Sequence, residues 1–322
     1  MARRFEERVD AIRDAAQTPN SPGSRKELQR VLRGKQGYLI SVAARALRNG
    51  GEDLTPLVLE AFGRLLEDPI SRDPQCHGKL AIAQALYDQN HAGHDPFEAG
   101  VQHVQLEPVL GGRQDTAAGL RGLCLMALMV QMHPRAWVFA GAMLADPERA
   151  ARLAALRAID SGGRPDLAEP LLRLAYGVET DPEVAMDCLA GLLRIDPHAN
   201  LPLARARIHG SDAERADVAI LALGSARPEG ALALLVETLE HTFDDNRRRT
   251  CATAIAMLRT DAAWQRLIEM ILEAELPIAQ ASVEALGSFQ DHPGLRERVV
   301  DAVADRREPE LDASLERAFA SP

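Results

Sequence analysis

The sequence has few aromatic residues, little lysine and no long apolar run. Phe, Tyr and Trp make up 4% of the 322 residues, and arginine supplies all but three of the 37 basic side chains. The longest apolar run, residues 123–130, is eight residues long, whereas a membrane-spanning helix needs about 20. The charged N-terminus also lacks the apolar core of a secretory signal. We therefore expect a cytoplasmic protein without a membrane segment.

The four cysteines are too widely separated to form a metal or redox motif. Cys76, Cys124, Cys188 and Cys251 lie 48, 64 and 63 positions apart, so no Cys-x-x-Cys pair occurs. Zinc knuckles and dithiol redox centres need two cysteines within a few residues of each other. We predict buried, reduced thiols, and we assign no metal, no cofactor and no catalytic residue.

Charge is unevenly distributed along the chain. The net charge of −10 argues against non-specific binding to nucleic acid or to an anionic membrane, because both attract cationic proteins. Residues 1–161 carry 20 basic and 19 acidic groups, whereas residues 162–322 carry 17 and 28. Residues 21–50 contain seven basic groups and a single acid, Glu27. Such a run is typical of a solvated helix face; the alternative is a docking patch for an acidic partner.

Alanine and leucine are abundant, with 53 and 43 residues, and both favour helix. One short pattern occurs eight times: an apolar residue, two variable positions, a small residue and a large aliphatic residue. We call the last two residues the anchor pair. Consecutive pairs lie 29 to 42 positions apart, a period typical of helical repeats. The anchor pairs are Ala46-Leu47, Ala85-Leu86, Ala127-Leu128, Ala158-Ile159, Gly191-Leu192, Ala222-Leu223, Ala256-Met257 and Ala285-Leu286.

The residues around each anchor pair follow the helical period. Counted back from the aliphatic residue of each pair, the third residue is apolar in all eight copies and the fourth is small in seven, which places both on one helix face with the aliphatic residue. Small residues on that face let a second helix approach closely. Asp73-Pro74, Asp146-Pro147 and Asp181-Pro182 predict capped helices with proline at the first helical position. No segment shows the alternation of a half-buried strand.

Stretches such as residues 146–159 and 181–192 resemble the HEAT-repeat family, in particular the short bacterial HEAT-like repeats of the phycobilin-lyase type. The resemblance implies an all-α, armadillo-like fold: a right-handed α-solenoid (superhelix) of about eight HEAT-like helical pairs. In this family the second helix of each pair lines the concave face. We expect an N-terminal capping helix and linker at 1–24, a repeat array at 25–305 and a C-terminal capping helix at 306–322.

An insertion at residues 89–114 interrupts the repeat. It contains His91, His94 and Asp95, which are metal-ligand types but lack the i, i+4 spacing of a helical site. We therefore predict a solvated loop without a metal. The segment Pro108 to Gly112 predicts a turn, followed by a helix cap at Asp115.

One column of the repeat points away from the buried face, two positions before the aliphatic residue of each anchor pair. Its side chains are polar at both ends of the array and mostly apolar in the middle, which predicts a groove for a helix or an extended peptide. The alternative is that neighbouring repeats bury them. We interpret the protein as a non-enzymatic scaffold that binds another protein or peptide through this column: Arg45, Gln84, Met126, Arg157, Leu221, Ile255 and Glu284.

The resemblance suggests three other functions, each of which can be compared with the residues present. An enzyme or enzyme subunit of the lyase type is implied by the resemblance alone. A glycosylase-like nucleic-acid binder needs aromatic side chains on a cationic face, but Trp137 and Trp264 fall on other helices than the basic residues. A deoxyhypusine-hydroxylase-like di-iron site needs His-Glu dipeptides, and the sequence has none. Lys79, Arg121 and Arg152, each seven positions before the aliphatic residue of an anchor pair, either bind an acidic ligand or pair with the aspartate of the adjacent turn.

Overall fold

The computed structural model describes residues 2–320, apart from the side chain of Ala2. Helices make up 76% of the structure, and the described part contains twenty α-helices and one small antiparallel sheet. The prediction of an all-α fold is therefore confirmed. The chain divides into two compact units, Met1–Arg164 and Pro165–Pro322, which we call unit 1 and unit 2.

Unit 1 contains ten helices and both strands. Three short 3-10 helices, Arg45–Asn49, Glu52–Leu54 and Pro74–Cys76, connect parts of it. The regular elements are α1 (Ala2–Gln17), α2 (Pro22–Leu32), α3 (Gly37–Ala44), α4 (Thr55–Glu67), α5 (Pro69–Arg72), α6 (His77–Asp88), α7 (Asp95–Val101), β1 (Leu106–Val109), β2 (Gly112–Asp115), α8 (Ala118–Val130), α9 (Ala136–Leu144) and α10 (Arg149–Ser161).

Unit 2 is entirely helical within the described residues. Its elements are helices without an anchor pair that alternate with helices that carry one, except that the last two helices both lack a pair. They are α11 (Pro165–Val178), α12 (Pro182–Ile195), α13 (Pro197–Ile208), α14 (Ala213–Ala226), α15 (Ala231–His241), α16 (Asp245–Met257), α17 (Asp261–Glu273), α18 (Leu276–Gly287), α19 (Leu295–Arg306) and α20 (Pro309–Ala318).

The helices that carry the anchor pairs pack against one another in sequence order. In unit 1, α3 packs on α6, α6 on α8 and α8 on α10; in unit 2, α12 packs on α14, α14 on α16 and α16 on α18. The aliphatic residue of the anchor pair is buried in seven of the eight copies, Met257 being half-buried. The first pair, Ala46-Leu47, lies in a 3-10 helix rather than an α-helix. The predicted apolar seam between equivalent helices is present in each unit.

Small residues set how closely these helices approach. A Cβ on Gly224 of α14 would lie 2.7 Å from the carbonyl oxygen of Ala254 on α16, and a Cβ on Gly122 would lie 2.4 Å from the Cβ of Ala154. The cysteines serve the same packing, since all four are buried. Burial raises the pKa of the Cys76 and Cys251 thiols to about 12, which keeps them protonated.

The aspartates before the anchor-carrying helices accept backbone N–H groups, although not all as predicted. Asp181 caps α12, with Pro182 at the first helical position. At Asp73-Pro74 the prediction was wrong about proline: a 3-10 turn intervenes, and α6 begins at His77. The Asp73 carboxylate still accepts the N–H groups of Gly78 and Lys79, at 2.7 and 3.0 Å. It therefore caps α6 across that turn.

The insertion is folded rather than a solvated loop, so that prediction was wrong. Its α7 buries Phe97 completely, and β1 and β2 pair as a hairpin in which Leu106 faces Asp115. The turn predicted between Pro108 and Gly112 is present, with Gly111 at φ +92. The strands escaped prediction because they are four residues long and mostly exposed, so they carry no apolar alternation.

Candidate functional site

The seven residues predicted to bind a partner do not form one surface. Arg45 and Arg157 are exposed, and Gln84, Met126, Leu221 and Glu284 are half-buried. Ile255 is completely buried, so the prediction that it faces a partner was wrong. Its helix, α16, packs between α14 and α18, and this close packing leaves Ile255 no access to solvent. Glu284 pairs with Arg249 and Arg317 at 3.3 and 3.6 Å, which ties α18 to α16 and α20.

Arg45 and Gln84 are brought together in a groove between α3 and α6, which we call the unit 1 groove. It has a volume of about 410 Å³. Most of its lining residues lie outside the repeat column, so the repeat pattern does not predict them. The lining residues are Tyr38, Ser41, Arg45, Arg48, His77, Leu80, Ala81, Gln84 and Ala85.

A row of three rings borders this groove. The Phe5 and Tyr38 ring centroids are 5.8 Å apart, and the Tyr38 and His77 centroids are 6.3 Å apart with the two rings nearly perpendicular. Phe5 and Tyr38 are 44% and 47% exposed. The row joins α1, α3 and the first residue of α6, so it presents aromatic surface to solvent from three helices at once.

Positive charge lies beside the rings. Arg45 is exposed, and its guanidinium has no ion pair or hydrogen bond among residues 2–320. Arg48 pairs with Asp88, which also accepts a hydrogen bond from Gln84 at 2.8 Å. Arg45 is therefore the cation of the groove that remains available to an outside carboxylate.

A buried ion pair lies behind the residues that line the groove. Lys79 Nζ lies 3.0 Å from Asp73 Oδ2, and both side chains are 0% exposed. The start of α3 presses against this pair, since a Cβ on Gly37 would lie 2.2 Å from Asp73 Oδ1. Gly37 precedes Tyr38, and Gly78 follows His77, so the same pair holds both backbones from which these rings project.

Lys79 on α6 and Arg121 on α8 pair with aspartates. Of the two predicted roles, binding an acidic ligand or pairing with a nearby aspartate, the structure shows the second. Arg121 is 3% exposed; it lies 2.5 Å from Asp115 and 3.0 Å from Asp146. Lys79 and Arg121 are consequently buried and paired with aspartates, so they are not available to an acidic ligand. They also cannot form the cationic face of a nucleic-acid binder, and Trp264 is buried in the core with its Nε1 donating to Ala256.

The hairpin of the insertion is clamped to the neighbouring helices. Gln105 Nε2 donates to the backbone oxygen of Asp73 at 2.8 Å, and Glu107 accepts the N–H of Gln75 at 2.6 Å. Asp115 accepts the N–H groups of Gln105 and Ala117, both at 2.9 Å. Residues 73–75, the hairpin and α8 are therefore bound together through polar contacts.

These contacts predict acid sensitivity of the hairpin. Burial alone would raise the pKa of Asp115 and Glu107, but their hydrogen bonds, and Arg121 beside Asp115, lower each pKa below its ordinary value of 3.8 or 4.5. The stabilisation is thus complete above these values and is lost as the pH falls through the lower folded-state pKa. We expect amide-exchange protection of residues 104–116 to fall below about pH 4. Asp115→Asn should reduce protection at neutral pH and flatten the profile; an unchanged profile would contradict the assignment.

The predicted histidines line a second, smaller cavity of about 370 Å³, together with Tyr87, Asn90 and Gln131. His91 and His94 are half-buried, whereas Asp95 is exposed and begins α7. The His94 ring lies 4.7 Å from that of His133, edge to face, and His133 Nε2 lies 2.9 Å from Glu98 Oε1. Among the described residues, no group of three His, Cys, Asp or Glu side chains is arranged to hold a metal ion.

No protein-family model matches the chain, and no curated protein matches it. Several solved structures are similar to the chain, among them two at low identity. The complex of CpcE and CpcF of phycocyanin lyase from Nostoc sp. PCC7120 shares 16% identity over 78% of this chain and 94% of the other, with a TM-score of 0.37. Human deoxyhypusine hydroxylase in complex with glycerol shares 21% over 84% and 97%, with a TM-score of 0.31.

Both similar proteins are HEAT-like helical-repeat proteins, the class that the sequence resembles. Similarities this low assign no activity to the chain, and the fold is established by the helices themselves. None of the helices within residues 2–320 is long and apolar enough to cross a bilayer.

Proposed function

We propose that the protein is a non-enzymatic adaptor whose unit 1 groove binds an acidic segment of another protein. The observation that carries this proposal is the row of exposed rings, Phe5, Tyr38 and His77, beside the unpaired Arg45. Tyrosine and arginine are the side chains most enriched among residues that dominate protein–protein binding energy. The groove offers both, with Ser41 and Gln84 as hydrogen-bonding groups.

The scarcity of aromatic residues strengthens the argument. Within the described residues, three Phe, Tyr or Trp side chains are exposed: Phe5, Tyr38 and Phe243. Two of these three lie next to each other at this groove. The other large rings of the chain are buried or half-buried, so two exposed rings side by side mark a surface suited to a partner.

Charge favours an acidic partner segment. Residues 21–50, which include α2, α3 and Arg45, carry seven basic groups and one acidic group. The Arg25 and Arg30 side chains pair with Asp53 and Glu27, which leaves Arg45 among the cations that can meet a carboxylate. An acidic segment with an aromatic or aliphatic side chain would pair with Arg45 and pack on Tyr38 and Leu80.

The proposal is tested by cross-linking and then by affinity. A photoreactive benzoylphenylalanine at position 38 should cross-link one acidic protein in the source cells, whereas the same residue at exposed Val138 should not. With that protein purified, Tyr38→Ala and Arg45→Glu should each weaken binding by more than about tenfold. Isothermal titration calorimetry measures the change.

Lys26→Glu is the matched control for Arg45→Glu. It makes the same charge change at an exposed position of α2 that does not line the groove. If Lys26→Glu weakens binding as strongly as Arg45→Glu, the effect is long-range electrostatics and the groove is not the site. If position 38 gives the same cross-links as position 138, the proposal fails.

A second candidate function is an enzyme or enzyme subunit of the HEAT-like lyase type. It is favoured by the 370 Å³ cavity, which places His91, His94 and Tyr87 around one space, because such side chains transfer protons in many active sites. A cofactor that copurifies, detected as absorbance at wavelengths longer than those of tryptophan and lost in His94→Ala, would support it. A protein without such absorbance, and with binding confined to the unit 1 groove, would favour the adaptor.

A further inference from the structure

The third exposed ring, Phe243, lies on a different surface. Helices α15 and α17 of unit 2 flank a groove made of two adjoining cavities of about 640 and 400 Å³, which share Arg266 and Glu269. We call it the unit 2 groove. Each helix contributes residues spaced three and four apart, so one face of each lines it. From α15 and the following loop these are Leu232, Ala233, Val236, Glu240 and Phe243; from α17 they are Ala262, Gln265, Arg266, Glu269, Met270 and Glu273.

The two ends of the unit 2 groove differ in chemistry. The larger cavity is lined by small and aliphatic groups, among them Leu232, Val236 and Ala262. The smaller cavity carries the glutamates at 240, 269, 273 and 275 together with two arginines. An amphipathic segment with an apolar end and a basic end would therefore match the groove along its length.

The acidic end has uncompensated negative charge. Arg266 is shared between Glu240 at 2.6 Å and Glu269 at 3.3 Å. Arg248 lies 3.4 Å from Glu275 and is also bound to Asp245. Glu273 has no cation partner among the described residues. Four carboxylates thus face two guanidinium groups that are already engaged, so this end attracts an additional cation.

Phe243 stands at the acidic end with 90% of its surface exposed. It lies in the short link between α15 and Asp244, the residue that caps α16. Its neighbours in the cavity, Met270 and Ile278, are buried. The ring therefore contributes nothing to the core of unit 2, and it is positioned to pack on a ligand that enters the cavity.

We infer that the unit 2 groove binds a basic amphipathic helix of a partner protein. Such a helix would run beside α15, which has 11 residues and is therefore about 16 Å long, or three turns. Its aliphatic side chains would pack on Leu232 and Val236, and its arginines or lysines would meet the glutamates beside Phe243. This surface is separate from the unit 1 groove, has the opposite charge, and does not depend on the function proposed above.

The test uses the full-length protein and a fluorescent peptide of about eleven residues, with leucines on one helical face and arginines toward one end. The comparison peptide carries glutamate in place of every arginine. Fluorescence anisotropy should show binding of the arginine peptide that weakens with added salt, and no binding of the glutamate peptide. Phe243→Ala and Glu273→Lys should each weaken binding of the arginine peptide by about tenfold or more.

Matched controls lie on the same unit. Glu297→Lys makes the same charge change at an exposed position of α19, and Leu272→Ala removes an exposed apolar side chain from α17 outside the groove. Both should leave peptide binding unchanged, as should Tyr38→Ala in the unit 1 groove. Equal binding of the two peptides, or equal losses in Glu273→Lys and Glu297→Lys, would overturn the inference. Loss in Tyr38→Ala would place the peptide at unit 1 instead.

Discussion

Replacing Lys79 by alanine is expected to lower the free energy of unfolding by about 3–5 kcal/mol. Lys79 and Asp73 are both fully buried, with 3.0 Å between Nζ and Oδ2. Removal of the ammonium group leaves a carboxylate in the core with backbone N–H donors alone, and a buried unpaired charge is strongly destabilising. Urea titration followed by circular dichroism measures the loss.

The double variant Asp73→Asn with Lys79→Met separates charge from packing. Asparagine keeps one of the two oxygens that accept the N–H groups of Gly78 and Lys79, and methionine fills the space of the lysine stem without charge. We expect this double variant to be more stable than Lys79→Met alone, because neutral replacement of a buried pair is often tolerated. A double variant as unstable as the single one would show that packing around Lys79, and not its charge, is what matters.

The second large effect is expected at Gly224. An alanine Cβ there would lie 2.7 Å from the oxygen of Ala254 and 2.8 Å from its Cα, and both are backbone atoms that cannot turn away. Helices α14 and α16 must therefore separate. We expect Gly224→Ala to cost about 1–3 kcal/mol and Gly224→Leu to prevent unit 2 from folding. Fluorescence of buried Trp264, measured with Trp137 replaced by phenylalanine, reports on unit 2.

Gly177 provides the matched control. It lies in α11 of the same unit, is exposed, and has nothing within 4 Å of an added Cβ. Alanine there should raise stability by about 0.5–1 kcal/mol, because it favours helix over glycine. Opposite signs at the two positions would establish close helix contact at Gly224. A stabilised Gly224→Ala variant would mean that α14 and α16 lie farther apart than the 2.7 Å contact at Gly224 implies.

The repeat is predictable from sequence because burial on one helix face imposes a period. The anchor pairs and the small residues before them mark the helices that pack on one another. Nothing comparable marks the hairpin. Glu107 and Gln105 hold it through hydrogen bonds to distant backbone groups, and hydrogen bonds of this kind leave no periodic trace in a sequence.

The candidate sites were predictable only in part. Arg45 and Gln84 were identified because they belong to a repeat column that points away from the buried face. Ile255 belongs to the same column and is buried, because the exposure of a column depends on how closely neighbouring helices approach. Tyr38 and Phe243 do not belong to any column of the repeat, and their exposure depends on tertiary structure. The one available sequence cue was that aromatic residues are scarce.

The clamp around the hairpin also affects how unit 1 responds to mechanical load. Helical repeats joined only to their neighbours peel away one at a time under tension. Here Gln105 and Glu107 hold the turn before α6, and Arg121 on α8 holds Asp146 before α10. If unit 1 is stretched from its ends, these links bear the force together. We therefore expect this part of the chain to unfold in a single large step, and not one helix pair at a time.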